Sequence, residues 1–443
     1  MRVLWFADAE LPAVADARLP GGGWIEGLRR ALEQFQPEVE LGIASVGDVE
    51  HEPFSAGNST YFHIARRSPD SRIARTVRQW RHNPAPNGAV ARCAEIALAY
   101  APDIVHVHGA EHYFGLAIRR LRVPAIVSLQ GMATVLQRYC SSALDIPGIM
   151  REVPTREFIL GSGSLHAFWS MRARAHVERR IVASCNDFMG RTEWDRAVLR
   201  MLQPQARYHE VGEVLGEPFY QTKWSGPPIG EETLYCTAGD SPLKGVETLL
   251  EALALLRRSG VRSPRLRLAG VDVDGAMARR VGKLLESHEL RGAVDVLGRC
   301  APTQIAEELA KASLFVLPSH MENSPNALCE AMVVGTPCIA AFVGGVPSLV
   351  RDGVDGLLYH DTDPYALAGK IDRLLGDPDL AVRLGTNARD TALQRHDPAS
   401  VTAQAVDAYR DVLSRWYEGQ PEGDRSATAA FPAAKDAGGQ KRS

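Results

Sequence analysis

Ser313-Leu314-Phe315-Val316-Leu317-Pro318-Ser319-His320-Met321-Glu322-Asn323-Ser324-Pro325-Asn326-Ala327-Leu328-Cys329-Glu330-Ala331-Met332-Val333-Val334-Gly335 is a strand, a turn and a helix in one line. Four large apolar residues ended by a proline read as a buried strand. Ser324 is placed as a helix N-cap with Pro325 at the first helical position, and Gly335 ends the helix. Glu322 then lies on the loop at the carboxyl end of the strand, and Glu330 in the first two turns of the helix. The amides of Asn323, Ser324 and Asn326 surround a helix N-terminus, whose free donors and positive end suit a hydroxyl-rich, anionic ligand. In isolation the ordinary reading, one solvated loop glutamate and one on a helix surface, is the better one. The rest of the chain reverses it.

The same strand-then-helix unit recurs along the chain. In the first half the strands are 2–7, 39–44, 104–108 and 125–129, with helices such as 25–35 and 90–100 between them. In the second half the strands are 233–238, 265–269, 294–297, 314–317 and 338–340, alternating with helices 246–257, 276–286, 303–311 and 325–334. Short apolar strands alternating with amphipathic helices give parallel sheets covered on both faces. The expectation is an α/β protein of two doubly wound domains, residues 1–211 and 233–397. A linker rich in glycine and proline joins them over 212–232. Residues 398–418 read as a long helix with an apolar stripe of Tyr409, Val412, Leu413, Trp416 and Tyr417, completing the first domain. Residues 419–443 read as a disordered tail. Ligands of open α/β sheets sit at the carboxyl ends of strands, so two facing sheets place a site in the cleft between them.

Composition narrows the classes. The 443 residues carry a formal net charge of −3, with 45% hydrophobic and 23% charged residues. That is ordinary for a soluble globular protein and supplies no field for nucleic acid or anionic lipid. No run reaches the roughly 18 uncharged residues of a spanning helix. Met1–Asp8 reads as a first buried strand rather than a leader. The seven cysteines are scattered, odd in number and without a Cys-x-x-Cys pair. This points to a reducing cytoplasm and away from disulfides and structural zinc.

Other segments face the same cleft. Lys244, in Ser241-Pro242-Leu243-Lys244-Gly245, places a compact cation between a strand and a helix N-terminus, where it can meet a diphosphate. Alone, a surface lysine explains it as well. Gly21-Gly22-Gly23 permits close backbone approach to a ligand, although it is not a Gly-x-Gly-x-x-Gly fingerprint. A flexible loop is the competing reading. Gly344-Gly345-Val346-Pro347 offers the same in the second domain. His106 and His108 share one strand face at period two. Two histidines with no third ligand nearby make a poor metal site, so one reads as structural and the other as lining the cleft.

Together these residues resemble the retaining GT-B glycosyltransferases of family 4, over residues 1–417. The family's Glu-x7-Glu motif corresponds to Glu322 and Glu330, in the Glu-Asn-Ser-Pro-Asn form. Val316-Leu317-Pro318-Ser319, Gly335-Thr336-Pro337, Lys244-Gly245, 102–108, 343–347 and 352–358 are similar to the family too. The stretch 191–195, with Val214 and Phe219-Tyr220, resembles a polysaccharide-pathway branch. The resemblance implies a GT-B fold and a cytoplasmic enzyme working on cell-surface polysaccharide or a related glycoconjugate. It implies that Glu330 holds the ribose hydroxyls and Glu322 the donor sugar, helped by Asn323, Ser324 and Asn326. It implies that Lys244 faces the diphosphate, and that the backbone at Gly298-Arg299 meets the base. Gly22 and Gly23 border the donor. No cofactor or metal is implied; the partners are a nucleotide-diphospho sugar and a glycan or lipid-linked acceptor. The two glutamates are not the acid and nucleophile of a glycosidase.

Three positions depart from the family. Gly239 stands where an arginine is usual, leaving Arg299 as the candidate second cation. Gln130 stands for a cleft histidine and can only hydrogen-bond. Ser348 replaces a glutamate after Gly-Gly-Val-Pro. The basic stretch 66–81, with Ile73, Val77 and Trp80 at helical spacing, reads as a helix packed on the sheet or lying on an anionic membrane. The alternative functions are an epimerase of the same fold, which needs no acceptor, and a silent nucleotide-sugar-binding scaffold. A phosphorylase would need a pyridoxal-bearing lysine in a longer chain.

Overall fold

The computed structural model describes residues 1–8, 23–47, 52–65, 80, 88–142, 164–227, 230–239, 241–272 and 276–419. Gly21 and Gly22, most of 66–81 and the tail beyond Gly419 lie outside the described residues. Two sheets organise the chain. The first is 8-stranded, in the order β3-β4-β2-β1-β5-β6-β7-β8. Its strands are β1 (Arg2–Ala7), β2 (Glu40–Gly47), β3 (Phe54–Ala56), β4 (Ser59–Ala65), β5 (Ile104–His108), β6 (Ala125–Ser128), β7 (Asp187–Gly190) and β8 (Arg207–Glu210). All pair in parallel except β3, which forms an antiparallel edge hairpin with β4.

The second sheet is 6-stranded and parallel, in the order β11-β10-β9-β12-β13-β14. It comprises β9 (Thr233–Thr237), β10 (Arg265–Ala269), β11 (Val294–Gly298), β12 (Leu314–Leu317), β13 (Cys338–Ala341) and β14 (Leu357–Tyr359). The side chains of Val3–Ala7 and of β12 are at most 1% exposed, as strands covered on both faces must be. Each such Leu, Val or Phe contributes about 1.5–3 kcal/mol through burial.

The sheet order reverses between β9 and β12 in the second domain and between β1 and β5 in the first. Crevices open at the carboxyl ends of strands at such switch points. The ends of β9 and β12 carry Lys244 and Glu322; those of β1 and β5 carry Asp8 and His108.

The helix Pro398–Glu418 returns to the first sheet. Val401, Tyr409, Val412 and Leu413 are buried in one core with Val3, Trp5, Ile43 and Ile104. Tyr409 OH lies 2.7 Å from His106 Nδ1 and accepts from Trp5 Nε1 at 3.2 Å, while His106 Nε2 is 2.6 Å from Ser128 Oγ. Trp416, placed in the apolar stripe by its spacing, is 38% exposed. The connecting stretch after Val211 is packed rather than free, with Val214, Leu215 and Phe219 buried and a short helix at Glu217–Gln221.

Candidate active site

Lys244 is set by a single turn of 3-10 helix, Pro242–Lys244, that follows β9; Ser241 Oγ caps it by accepting from Leu243 N at 3.3 Å. Gly245 has φ +63, and a Cβ there would collide with the Pro318 carbonyl oxygen. A glycine is therefore required for this turn to lie against the loop after β12. Lys244 Nζ donates to Glu322 Oε1 at 2.6 Å. A cation and a carboxylate that lie 78 residues apart meet at the switch point of the second sheet.

The loop holding Glu322 rests on the glycine turn after β13. Gly345 N donates to the Glu322 carbonyl at 3.0 Å, and a Cβ on Gly344 (φ +47) would strike that same oxygen. The close approach that Gly344-Gly345 permits is thus to the main chain of Glu322 and Asn323.

The helix after this loop runs Asn326–Val334 with Pro325 at the N-cap and no side-chain cap. The sequence expectation of a Ser324 cap is corrected. Ser324 Oγ instead donates 2.7 Å to Glu213 Oε1, because a buried carboxylate is the stronger acceptor. Asn323 also turns to the first domain. Its amide nitrogen donates to Asp195 Oδ2 at 2.9 Å and to the Gln130 carbonyl at 3.0 Å, and its oxygen accepts from Thr192 Oγ1 at 2.6 Å. The Asn323 side chain therefore ties the domains together, and the Ser324 side chain ties the loop to the stretch that joins them. Gln130 takes part through its main-chain carbonyl oxygen, not its side chain. Ser348 Oγ accepts from Glu193 N at 3.1 Å, a further cross-domain link at the position where the family carries a glutamate.

Glu330 is half-buried on the helix, and burial, then the neighbouring Glu213, pushes its carboxyl up to about 8. Among the described residues it has no hydrogen-bond partner. Asn326 is half-buried at the helix start. Gly23 opens the helix Gly23–Phe35. Arg299 is exposed and has no ion-pair partner among the described residues, so nothing there presents it as a buried cation.

The sequence reading passed over Glu213. It lies inside the presumed linker, yet is 1% exposed, 3.0 Å from Arg191 Nη1 and near the Cys329 thiol at 3.6 Å. Its apolar neighbours Val211, Val214 and Leu215 were the available signal that this stretch is packed. On the first-domain side, burial raises the Glu111 carboxyl to about 7, and His112 lies 3.5 Å from Asp8. The rings of His106 and His108 lie 3.8 Å apart, tilted by 34°; His106 is held by two hydroxyls, and His108 is buried with neither ring nitrogen partnered among the described residues. Among the described residues no group of three or more His, Cys, Asp or Glu is arranged to hold a metal.

The sequence model of the family "Glycosyl transferases group 1" matches residues 224–391, which hold Lys244, Glu322 and Glu330. This chain carries a group 1 glycosyltransferase domain. That domain and the named glycosyltransferase relatives make it a transferase enzyme. It is 29% identical over 320 residues to a D-inositol 3-phosphate glycosyltransferase of Streptomyces bingchenggensis, covering 70% of this chain and 67% of the relative. Against an alpha-D-kanosaminyltransferase of Streptomyces kanamyceticus the identity is 31%, covering 38% of this chain and 43% of the relative, less than half its length. The fold matches sucrose-phosphate synthase from Thermosynechococcus elongatus with a TM-score of 0.70 at 20% identity, covering 94% of this chain and 99% of that one. It also matches Anabaena HepE in complex with UDP-glucose, with a TM-score of 0.62 at 16% identity, covering 93% and 100%. The glycosyltransferase domain thus sits in a two-domain GT-B architecture. Among the described residues no helix is long and apolar enough to cross a membrane.

Proposed function

We propose that this enzyme moves a hexose-type sugar from a nucleotide-diphospho sugar to a glycan or lipid-linked acceptor. We place it in the family 4 branch, with retention at the anomeric carbon, no metal, and a cytoplasmic place in cell-surface polysaccharide synthesis. The observation that carries this reading is the Lys244–Glu322 pair at 2.6 Å on the switch point, with the half-buried Glu330 on the helix that follows. Support comes from HepE, a protein of the same fold seen with UDP-glucose, and from a relative described as a putative colanic acid biosynthesis glycosyltransferase.

The ammonium of Lys244 meets the diphosphate and stabilises the charge that grows as the bond from the anomeric carbon to the phosphate oxygen breaks. The diphosphate leaves with the electron pair. The acceptor hydroxyl adds on the face being vacated, and its proton passes to the departing phosphate oxygen. Glu322, released from Lys244, accepts hydroxyls of the sugar, and Glu330 accepts those of the ribose. Burial favours the protonated form of a free Glu330 carboxyl; two ribose hydroxyl donors favour the carboxylate.

Thermal-shift measurements with UDP, GDP, ADP and dTDP sugars, then transfer assays with the donor that binds, test the reading. One donor should stabilise the protein, and Glu330→Ala should abolish that effect. Full activity in Glu330→Ala overturns the ribose assignment, and the absence of stabilisation by every donor overturns the donor reading.

A further inference from the structure

On the donor reading above, Lys244 is the cation that the second domain brings to the diphosphate. A departing diphosphate gains negative charge, and a single ammonium compensates only part of it. At the position where the family carries an arginine, Gly239 offers no side chain, and a Cβ there would meet nothing within 4 Å. Arg299 is exposed.

Arg191 is a first-domain cation that lies next in the chain to Thr192, one of the residues bonded across to Asn323. It follows β7 and precedes the helix Glu193–Leu202, whose start is fixed by the reciprocal Thr192–Asp195 capping box. Its side chain is only 8% exposed. The guanidinium carbon lies 4.4 Å from the ring centre of Trp24, in the first turn of the helix Gly23–Phe35 that opens after β1. Its Nη1 is 3.0 Å from Glu213 Oε2. The next residue, Thr192, grips Asn323, which adjoins Glu322 and hence Lys244. The two cations thus flank one cross-domain latch, and each is held by a carboxylate: Lys244 by Glu322, Arg191 by Glu213.

We propose that Arg191, delivered from the first domain and held over the Trp24 ring, is the second cation of the donor-diphosphate site. It compensates for the side chain absent at Gly239. This rests on the donor reading above. A planar guanidinium suits the task, because it binds phosphate oxygens in pairs while its face stays stacked on an indole. On donor binding Arg191 turns its free donors to the diphosphate. Glu213 keeps the Ser324 hydroxyl at 2.7 Å and so does not collapse into the cleft.

The test is titration of the full chain with UDP, GDP, ADP and dTDP and with the corresponding nucleosides, the weak nucleosides followed by ligand-observed NMR. Arg191→Gln should weaken the nucleoside diphosphate roughly 10- to 100-fold, the worth of a lost charged hydrogen bond. It should leave the nucleoside unchanged within about twofold by the same reasoning. Arg191→Lys should recover part of the loss. Glu213→Gln, which removes the competing charge but keeps an acceptor for Ser324, should hold or raise diphosphate affinity. Equal loss for nucleoside and diphosphate in Arg191→Gln means that the pair only clamps the domains, and the proposal falls. It falls equally when Glu213→Gln reproduces the Arg191→Gln loss. Should Arg191→Gln fail to fold, Arg191→Lys and Glu213→Gln decide. A wild type that binds none of the four diphosphates overturns the donor reading, and this inference with it.

Discussion

Asn323 and Asp195, 128 residues apart and in different domains, are joined by a buried 2.9 Å hydrogen bond. The contact is prepared before the domains meet. Asp195 is already positioned by the amides of Arg191 and Thr192 and by Tyr208 OH at 2.6 Å. Asn323→Ala removes a donor and an acceptor from a buried contact and should cost about 1–3 kcal/mol. Chemical denaturation, together with small-angle scattering of the domain separation, checks it. An unchanged midpoint and an unchanged radius would remove the latch from consideration.

Lys244 and Glu322 are each other's partner, and their variants should separate. Lys244→Ala should lower kcat by on the order of 100- to 1,000-fold, the usual worth of a preorganised charge at the leaving group. Glu322→Gln should also lose transfer, yet bind the bare nucleoside diphosphate at least as well, because Lys244 no longer has a competing carboxylate. Parallel loss of diphosphate affinity in both variants contradicts the division of roles.

Glu330 titrates near 8, against 4.5 for an ordinary glutamate, because burial and then Glu213 oppose its charge. In the folded state it keeps its proton where the unfolded chain has released it. Its contribution to stability is full below 4.5 and is lost as pH rises through 8. Glu330→Gln should therefore be more heat-stable than wild type at alkaline pH, by roughly 2–4 °C for each kcal/mol regained. Nucleotide binding should weaken at the same time, as when a strained site is relieved at the cost of function. Melting curves across this range read the first effect. Identical pH profiles for variant and wild type count against the assignment.

Tyr409→Phe tests how the last helix is held. It leaves His106 Nδ1 and Trp5 Nε1 without their shared partner in a buried site, a loss of about 1–3 kcal/mol. Burial pushes His106 down to about 3, so it stays neutral while the unfolded chain takes up a proton from 6.5 downward. Stability should fall as pH drops through that window. Proteolysis near residues 398–418 should speed up in the variant, and unchanged cleavage argues against this anchor.

The outline was legible because its signals are local. Residues 314–317 are a covered strand by composition, Gly335 stops the next helix in a left-handed conformation, and Lys244-Gly245 marks a turn before a helix. The edge strand β3 was missed because Phe54–Ala56 is short and mostly exposed. Arg207–Glu210 was missed because an edge strand of charged and polar residues carries no hydrophobic pattern.

The sequence by itself determined two alternating α/β blocks and the spacing of Glu322 and Glu330, because apolar periodicity and helix caps act over a few residues. Only the tertiary structure decided which side chains face one another. Lys244 met Glu322, Asn323 met Asp195, Ser324 left its expected cap for Glu213, and Arg191 settled on Trp24. Asn323–Asp195 crosses from one domain to the other, and Ser324–Glu213 reaches the stretch that joins them. Their geometry depends on how two sheets dock, and no local pattern encodes that.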